Sequence, residues 1–259
     1  MEFQAYGISD VGCVRSNNED AYLVRDDLNL YVVADGVGGA AAGEVASRLF
    51  VEGCEQEFEG YSGWNEDYSP LISRCFLNAN QSILDHTKQH PETKGMGCTA
   101  EVLTFFNNEY YVGHVGDSRT YLFREGIFTQ LTKDHSYLQE QIDLGLIRKE
   151  ETSNHWLKNA IYRAVGHIDE VEVDVHSGRI KTGDCFLLCS DGLTDMVDDI
   201  EIQQVLQSTP SITERTQMLV NLAKENGGKD NITVVLCEVI NVDGMGQVFS
   251  QLKNRFLGK

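Results

Sequence analysis

The chain has 259 residues, of which 41% are hydrophobic and 24% are charged. This composition supplies enough apolar material for a sizeable core and excludes a disordered chain. Forty acidic against 21 basic residues give a formal net charge of −19, and such a surface repels nucleic acids and anionic lipids. We therefore expect no nucleic-acid partner, and since no apolar run is long enough to cross a bilayer, no membrane span.

Linkers, cysteine spacing and the first residues indicate the domain organisation and the compartment. No repeat and no proline-rich linker divides it, so we expect one domain over residues 1–259 that acts as a monomer. The seven cysteines are scattered without a C-x-x-C pair, and the first residues, MEFQAYG, contain neither a basic leader nor an apolar signal core. Reduced thiols in a cytoplasmic protein are the simplest interpretation.

The elements are predicted in chain order from short apolar runs and helical spacings. Two strands at 21–25 and 30–34 are followed by two long helices at 41–58 and 68–89. Two hairpins come next, pairing 100–106 with 109–115 and 120–124 with 127–130. A strand at 185–189, a helix at 211–225 and a strand at 232–239 complete the pattern. Because strands do not alternate with helices, we predict an α+β fold of antiparallel sheets covered by helix pairs.

Acidic residues stand at the ends of five of these predicted strands. They are Glu19 and Asp20, Asp35, Asp117, Asp191, and Asp230. A carboxylate at the end of a buried strand is costly unless a cation or a donor compensates it, and hard oxygen ligands suit Mg²⁺ or Mn²⁺. The glycines after Asp35 and Asp191 are expected to let the backbone bend sharply toward an ion. One Asp-Gly pair is usually only a turn. Acids at the ends of five strands, two of them in Asp-Gly pairs, together predict a shared metal site.

The same acids belong to an ordered set of motifs that covers nearly the whole chain. The motifs are Arg15-x-x-Asn18-Glu19-Asp20, Asp35-Gly36-x-Gly38-Gly39, Gly116-Asp117-Ser118-Arg119, Thr132-x-Asp134-His135-Ser136, Arg163-Ala164-x-Gly166, Ser190-Asp191-Gly192 and Asp230-Asn231. Each motif alone is weak, but their order resembles that of the type-2C (PPM) metal-dependent protein serine/threonine phosphatases. The short length and Val37 make the chain similar to the compact bacterial branch.

The resemblance implies a four-layer α/β/β/α sandwich, with two antiparallel sheets packed face to face and flanked by helix pairs. It implies hydrolysis of phosphoserine and phosphothreonine on proteins, in signal transduction opposite a cognate serine/threonine kinase. Residues 132–153 match the flap that lies beside the site in bacterial members, and a plain surface helix is the alternative for this segment. The amphipathic stretch at about 245–257 is expected to form a C-terminal helix that packs on its own domain.

The resemblance also implies roles for individual residues. Asp35 would bridge two Mn²⁺ or Mg²⁺ ions, with the Gly36 carbonyl on one of them and Asp191 and Asp230 on the other. Glu19 and Asp20 would order bound water, Asp117 with Asp191 would hold a third and weaker ion, and Arg15 would grip the substrate phosphate. A water shared by the two core ions would then attack phosphorus directly, without a phosphoenzyme.

The general acid does not follow from the resemblance. Val37 occupies the position at which many members outside this branch carry histidine. His135 is a candidate by residue type, but a structural histidine in a loop is the favoured interpretation. The group that protonates the leaving alkoxide therefore stays open at this point.

Two other functions remain as alternatives. Gly36-x-Gly38-x-x-Ala41 fits a dinucleotide-binding fingerprint between a strand and a helix, with Glu55 near the distance of a ribose-binding acid. Against it, Asp35 would face a pyrophosphate of like charge, and a second helix follows the first where a strand is needed. The other alternative is an inactive binding module with the same fold, which is disfavoured because none of the expected ligands is missing.

Overall fold

The computed structural model describes residues 1–37, 42–61, 67–148, 157 and 159–242. Its strands are β1 Glu2–Asp10, β2 Asp20–Arg25, β3 Leu30–Val37, β4 Gly97–Phe106, β5 Glu109–Val115, β6 Arg119–Arg124, β7 Ile127–Gln130, β8 Asp174–Arg179, β9 Cys185–Cys189 and β10 Ile232–Asn241. Its α-helices are α1 Gly43–Glu59, α2 Ser69–Gln89, α3 Tyr137–Asp143, α4 Asp191–Thr194, α5 Asp199–Gln207 and α6 Ile212–Glu225.

The strands form two five-stranded sheets, in the orders β1-β10-β9-β6-β7 and β2-β3-β4-β5-β8. Every pairing between these strands is antiparallel. The predicted α+β fold of antiparallel sheets is therefore confirmed. A dinucleotide-binding domain needs a parallel βαβ unit, and α1 is followed by α2 instead.

Three apolar layers alternate with the two sheets and make the four-layer sandwich. Along β3, Leu30, Val32 and Ala34 face α1 and α2, whereas Tyr31 and Val33 face the opposite sheet. The opposite sheet repeats this pattern, with Leu187 of β9 under α5 and α6. Because side chains alternate across a strand, one continuous apolar run can supply both layers. Full burial of each such side chain contributes about 1.5–3 kcal/mol.

Local turn chemistry closes the two predicted hairpins. Asn107 and Asn108 between β4 and β5 have φ of 50° and 63°, and Glu125 and Gly126 between β6 and β7 have φ of 53° and 82°. Asparagine and glycine tolerate this left-handed region better than other residues. Both hairpins are thus where the sequence places them.

Several boundaries and elements differ from the sequence prediction. Asp35 does not follow its strand but lies within β3, which continues to Val37 because β4 pairs with it as far as Gly97. Asp20 is the first residue of β2, and Asp191 begins α4. Strands β1 and β8 and the short helices α3, α4 and α5 were not predicted, since their polar residues dilute the periodic signal.

Some predicted features fall wholly or partly outside the described residues. These are the C-terminal helix at 245–257, the end of the flap segment at 149–153, and Gly38 and Ala41 of the dinucleotide fingerprint. The described part of the flap segment contains α3, whose N-terminus is capped by Ser136 through a bond from the Gln139 N–H of 3.2 Å. None of the described helices combines the length and the hydropathy needed to cross a membrane.

Candidate metal centre and active site

The two sheets share a cavity of about 390 Å³ at one end of the sandwich. Among the described residues it is lined by Arg15, Ser16, Asn17, Glu19, Asp35, Gly36, Val37, Asp117, Asn159, Ile161, His167, Asp191, Asp230 and Asn231. Seven of the eight residues singled out from the sequence are in this set, although they lie up to 215 positions apart in the chain. The eighth, Asp20, lies directly behind the cavity.

Asp20 is the buried partner of Asp35. The two face each other across the β2–β3 ladder, where Asp20 pairs with Asp35. One oxygen of Asp20 accepts bonds from the hydroxyls of Ser190, at 2.8 Å, and Thr233, at 2.6 Å. Thr233 belongs to β10 and Ser190 directly follows β9, so Asp20 links β2 to the other sheet.

The glycines of the two Asp-Gly pairs are needed for space, and the sharp bend expected from the sequence is absent. Gly36 lies in the extended strand β3, and a Cβ there would meet the backbone of Gly43 at 2.4 Å. A Cβ on Gly192 would lie 1.8 Å from the carbonyl oxygen of Asn231. Both glycines thus let two backbones approach each other next to a site carboxylate.

Asn231 fixes the loop that carries Arg15 and Glu19 to the start of β10. Its side-chain amide donates to the carbonyls of Val11 and Asn17, at 3.0 and 2.8 Å, and its oxygen accepts the Glu19 N–H at 2.8 Å. Next to it, Arg15 Nη2 donates to Asp230 Oδ2 at 2.7 Å. The loop therefore presents a guanidinium to the cavity beside the carboxylates.

Asp117 projects into the cavity from a clamped turn between β5 and β6. The Gly116 N–H donates to His135 Nδ1 at 3.1 Å, and the His135 N–H donates back to the Gly116 carbonyl at 2.6 Å. On the other side of Asp117, Arg119 makes a bidentate pair with Asp134 at 2.8 and 2.7 Å. These contacts fix the backbone on both sides of the Asp117 side chain.

His135 acts in this clamp and is not part of the described cavity lining. Burial first, and then the neighbouring His114, lower the pKa of His135 to about 4. The imidazole is therefore neutral near neutral pH, and its Nδ1 already accepts a backbone N–H. Such a ring is a poor proton donor. The structural interpretation of this histidine is the better one.

The site carboxylates repel one another and are short of compensating charge. Burial, followed by the charge of Asp20, raises the pKa of Asp35 well above its usual range, and burial followed by Asp117 does the same for Asp191. Burial raises the pKa of Asp20 to about 6 and that of Asp117 to about 7. Burial also raises the pKa of Glu19. Such a cluster is the electrostatic environment that a cation relieves.

Two orphaned oxygens show where compensation is missing. Within the described chain, Oδ1 of Asp20 and Oδ1 of Asp191 are buried and have no hydrogen-bond partner. No three His, Cys, Asp or Glu side chains in that part of the chain are close enough to enclose an ion by themselves. The carboxylates surround an open cavity instead, which suits hard divalent ions that keep part of their water shell. The residues present therefore fit Mg²⁺ or Mn²⁺.

A test of this electrostatic account follows from pH. A carboxyl whose folded-state pKa lies above its unfolded value of about 4 stabilises the fold most at low pH, and this stability is lost as pH rises through the folded pKa, here about 6 to 7. In chelator, we expect Tm to fall by roughly 8–16 °C between pH 5 and pH 8, because over this interval the raised pKa values of Asp20 and Asp117 together cost roughly 4 kcal/mol. Calorimetry in EDTA measures this, and Mn²⁺ should restore Tm at pH 8.

The control for this measurement is Asp20→Asn, which removes one of the titrating groups. It should flatten the dependence of Tm on pH in EDTA. A Tm that stays constant or rises between pH 5 and pH 8 in the parent protein would show that the pKa values of these carboxyls are not raised.

Several cavity residues were not predicted from the sequence. Ser16 and Asn17 lie between motif positions, and Asn159 and Ile161 lie in a segment without periodicity, so no local pattern identifies them. His167 directly follows the Arg163-Ala164-x-Gly166 motif, and this adjacency was the one available signal. The presence of Asn159, Ile161 and His167 in the cavity depends on how the 159–171 segment packs against β4 and α2.

Comparisons with known proteins agree with this geometry. The family model for protein phosphatase 2C matches residues 14–236. The chain is 39% identical over 236 residues to the serine/threonine protein phosphatase PstP of Mycobacterium tuberculosis, covering 91% of this chain and 45% of that protein. It thus spans about half the length of the mycobacterial relative.

Two further similarities cover whole chains. The serine/threonine phosphatase stp of Listeria monocytogenes is 34% identical over 235 residues, which is 89% of this chain and 93% of that protein. The crystal structure of the catalytic domain of PstP in complex with two manganese ions superposes with a TM-score of 0.84 at 37% identity, over 92% of this chain and 99% of that one. The chain therefore belongs to the protein phosphatase 2C family.

Proposed function

We propose that this chain hydrolyses phosphoserine and phosphothreonine on proteins at the cavity described above, with two divalent ions as cofactors. The observation that carries the proposal is the convergence on one cavity of Asp35 from β3, Asp191 from the start of α4 and Asp230 from just before β10. The raised pKa values of Asp35 and Asp191 and the unpartnered Oδ1 of Asp191 support a cationic cofactor there. A relative with the same fold is described as a complex with two manganese ions.

The resemblance to the family supplies a role for each residue. Asp35 would be a ligand of both ions. The Gly36 carbonyl would be a further ligand of one ion, and Asp191 and Asp230 would be ligands of the other. Bound in this way, Mn²⁺ or Mg²⁺ supplies a water of lowered pKa and neutralises phosphoryl oxygens. Asp117, next to Asp191 in the cavity, would hold a third and weaker ion.

The chain's own groups bind and orient the substrate. Arg15 presents a planar guanidinium beside the carboxylates, and this geometry matches two phosphate oxygens better than a lysine would. Glu19 and Asp20 would accept bonds from water and orient it toward phosphorus. Phosphoryl transfer needs mainly such positioning and charge stabilisation, so no covalent enzyme intermediate is required.

We further infer the setting in which the domain works. The described cysteines are all free, and six of the seven are buried, which supports a reducing, cytoplasmic compartment. The partners would be phosphoproteins and a cognate serine/threonine kinase, and the chain would act as a single monomeric domain over residues 1–259 in bacterial signal transduction. The flap role of residues 132–153 belongs to the same proposal.

The deciding experiment measures phosphate release from a phosphothreonine peptide and from p-nitrophenyl phosphate, with Mn²⁺, with Mg²⁺ and in EDTA. We expect turnover of both substrates with metal and none in EDTA. Failure of both ions to support turnover would favour the inactive binding module. Anomalous scattering from Mn²⁺-soaked crystals would count the ions, and two strong peaks beside Asp35 are expected.

Arg15→Ala separates phosphate binding from metal binding. Because an exposed arginine contributes to phosphate recognition through charge-assisted bonds, we expect KM for a phosphopeptide to rise roughly tenfold or more. The affinity for Mn²⁺, measured by calorimetric titration, should not fall, since Asp230 loses only its contact with Arg15. A loss of Mn²⁺ affinity with unchanged kinetics would contradict the role of Arg15.

A further inference from the structure

One imidazole in the cavity has no role in the proposed function. His167 lines the cavity together with Asp35, Gly36 and Val37, and its side chain is exposed to solvent there. Among the described lining residues it is the sole histidine, and that lining contains no lysine, tyrosine or cysteine. Histidine is the side chain that most readily exchanges a proton near neutral pH. This places a proton-transfer group at the mouth of the site.

The ring of His167 has a prepared position at the edge of β4. A Cβ on Gly97 would lie 2.6 Å from His167 Cδ2 and 2.7 Å from Nε2, so the imidazole occupies the space that any larger residue at 97 would fill. Gly97 is the ladder partner of Val37, the residue after Gly36. The imidazole therefore lies over the strand position opposite Val37, at the same corner as the proposed bridging Asp35.

The backbone on both sides of His167 is held in place. The buried Asn80 of α2 accepts the Gly166 N–H at 2.6 Å and donates to the carbonyls of Ile168, at 2.9 Å, and Asp169, at 3.3 Å. Two bonds of 3.0 and 2.9 Å join Val165 to Cys98 of β4. One polar side chain thus fixes the residues before and after His167.

Gly166 makes this placement possible. Its φ is +92°, and a Cβ would lie 2.4 Å from Ile83 Cγ2, so both conformation and space demand glycine. The motif Arg163-Ala164-x-Gly166 accordingly has a structural purpose at its last position. It turns the chain so that His167 enters the cavity.

We propose that His167 is the general acid that protonates the leaving seryl or threonyl oxygen. This rests on the proposed function, because it assigns a further catalytic residue to the same reaction. The P–O bond to the side chain breaks, its electron pair stays on the leaving oxygen, and that oxygen takes a proton from the imidazolium of His167. The attacking water forms the new P–O bond and releases one proton to solvent. The imidazole regains one proton from solvent, so the products are the free hydroxyl and hydrogen phosphate.

The experiment compares leaving groups that differ in their need for a proton. A seryl alkoxide is a poor leaving group, whereas p-nitrophenolate is stabilised without protonation. We expect His167→Gln to lower kcat for a phosphoserine peptide roughly a hundredfold, the usual scale for a lost general acid. The loss for p-nitrophenyl phosphate should be at least about tenfold smaller, and rates for a series of aryl phosphates should become more sensitive to leaving-group acidity.

A second variant keeps the imidazole but displaces it. Gly97→Ala fills the space under the ring and should produce the same substrate-dependent loss. His90→Gln, an exposed change at the end of α2, is the matched control and should leave both rates unchanged. Mn²⁺ titration and Tm of each variant identify any general damage to the site.

Each outcome decides between defined conclusions. Equal losses on both substrates for His167→Gln, or no loss on either, would overturn the assignment of the general acid. Absence of turnover by the parent protein on p-nitrophenyl phosphate with Mn²⁺ would instead overturn the proposed function itself. If His167→Gln lowers the Mn²⁺ affinity or the Tm, the ratio of the two losses in Gly97→Ala decides instead, because that variant keeps the imidazole.

Discussion

We expect Asp35→Asn to abolish turnover while the protein stays folded. We expect kcat for a phosphopeptide to fall at least about a thousandfold, about 4 kcal/mol in the barrier, because a neutral amide cannot bridge two cations as a carboxylate does. The fold should tolerate the change, since the variant removes a buried charge that Asp20 and Asp191 already repel. In EDTA at pH 8, Tm should equal or exceed that of the parent protein.

The measurement combines phosphate release, Mn²⁺ titration and thermal unfolding on the same preparation. Asp85→Asn, the same chemical change on the exposed face of α2, is the matched control and should keep full turnover. Asp191→Asn should behave as Asp35→Asn does, because its burial and repulsion have the same origin. Near-normal kcat in either site variant would refute the metal-ligand roles.

Glu101→Ala has the largest effect that we expect on stability. Glu101 and His114 are both fully buried, face each other across the β4–β5 ladder and are joined by a short hydrogen bond to His114 Nδ1. The other Glu101 oxygen accepts the Thr120 hydroxyl of the opposite sheet at 2.5 Å, and His114 Nε2 contacts the Lys133 carbonyl at 2.9 Å. Removing one partner of a buried pair costs about 3–5 kcal/mol.

The protonation of this pair follows from its surroundings. Burial raises the pKa of Glu101, and His114 and Thr120 offset part of that rise. Burial lowers the pKa of His114, but the charge and the hydrogen bond of Glu101, together with the Lys133 carbonyl, outweigh burial and leave this pKa above its usual value. Each group therefore depends on the other for its charge, and the loss of Glu101 leaves an imidazole without its counter-charge.

Chemical denaturation measures the effect on the free energy of unfolding. Glu52→Ala, on the exposed face of α1, is the control and should change it by less than about 0.5 kcal/mol. The double variant Glu101→Leu with His114→Leu should be more stable than Glu101→Ala, because neither polar partner then stays buried alone. A loss below about 1 kcal/mol for Glu101→Ala would show that the pair contributes little.

Packing also explains why the buried pair lies where it does. Glu101 joins β4 to β6, and the ring of His114 lies 4.5 Å from that of His135, which holds the Gly116 backbone. Destabilising the pair is therefore expected to loosen the turn that carries Asp117. A chain of contacts through His114 and His135 thus links the interior of the sandwich to the active-site turn.

Local patterns in the sequence were enough to determine the fold class and both hairpins, and they singled out acids that line one cavity in the structure. An apolar run bounded by turn residues encodes a strand by itself, and asparagine or glycine with positive φ encodes the hairpin turn, so neither depends on distant contacts. The extension of β3 past Asp35 could not be predicted from the sequence, because it depends on pairing with β4.

Only the tertiary structure decided which residues meet. The convergence of Asp35, Asp191 and Asp230 follows from strand orders that no local pattern specifies. His135 is held outside the cavity lining by its bonds to the Gly116 backbone, and His167 enters the cavity on a loop that Asn80 of α2 holds. Contacts between residues far apart in sequence are set by packing free energy over the whole domain, so their geometry is absent from any short stretch of the chain.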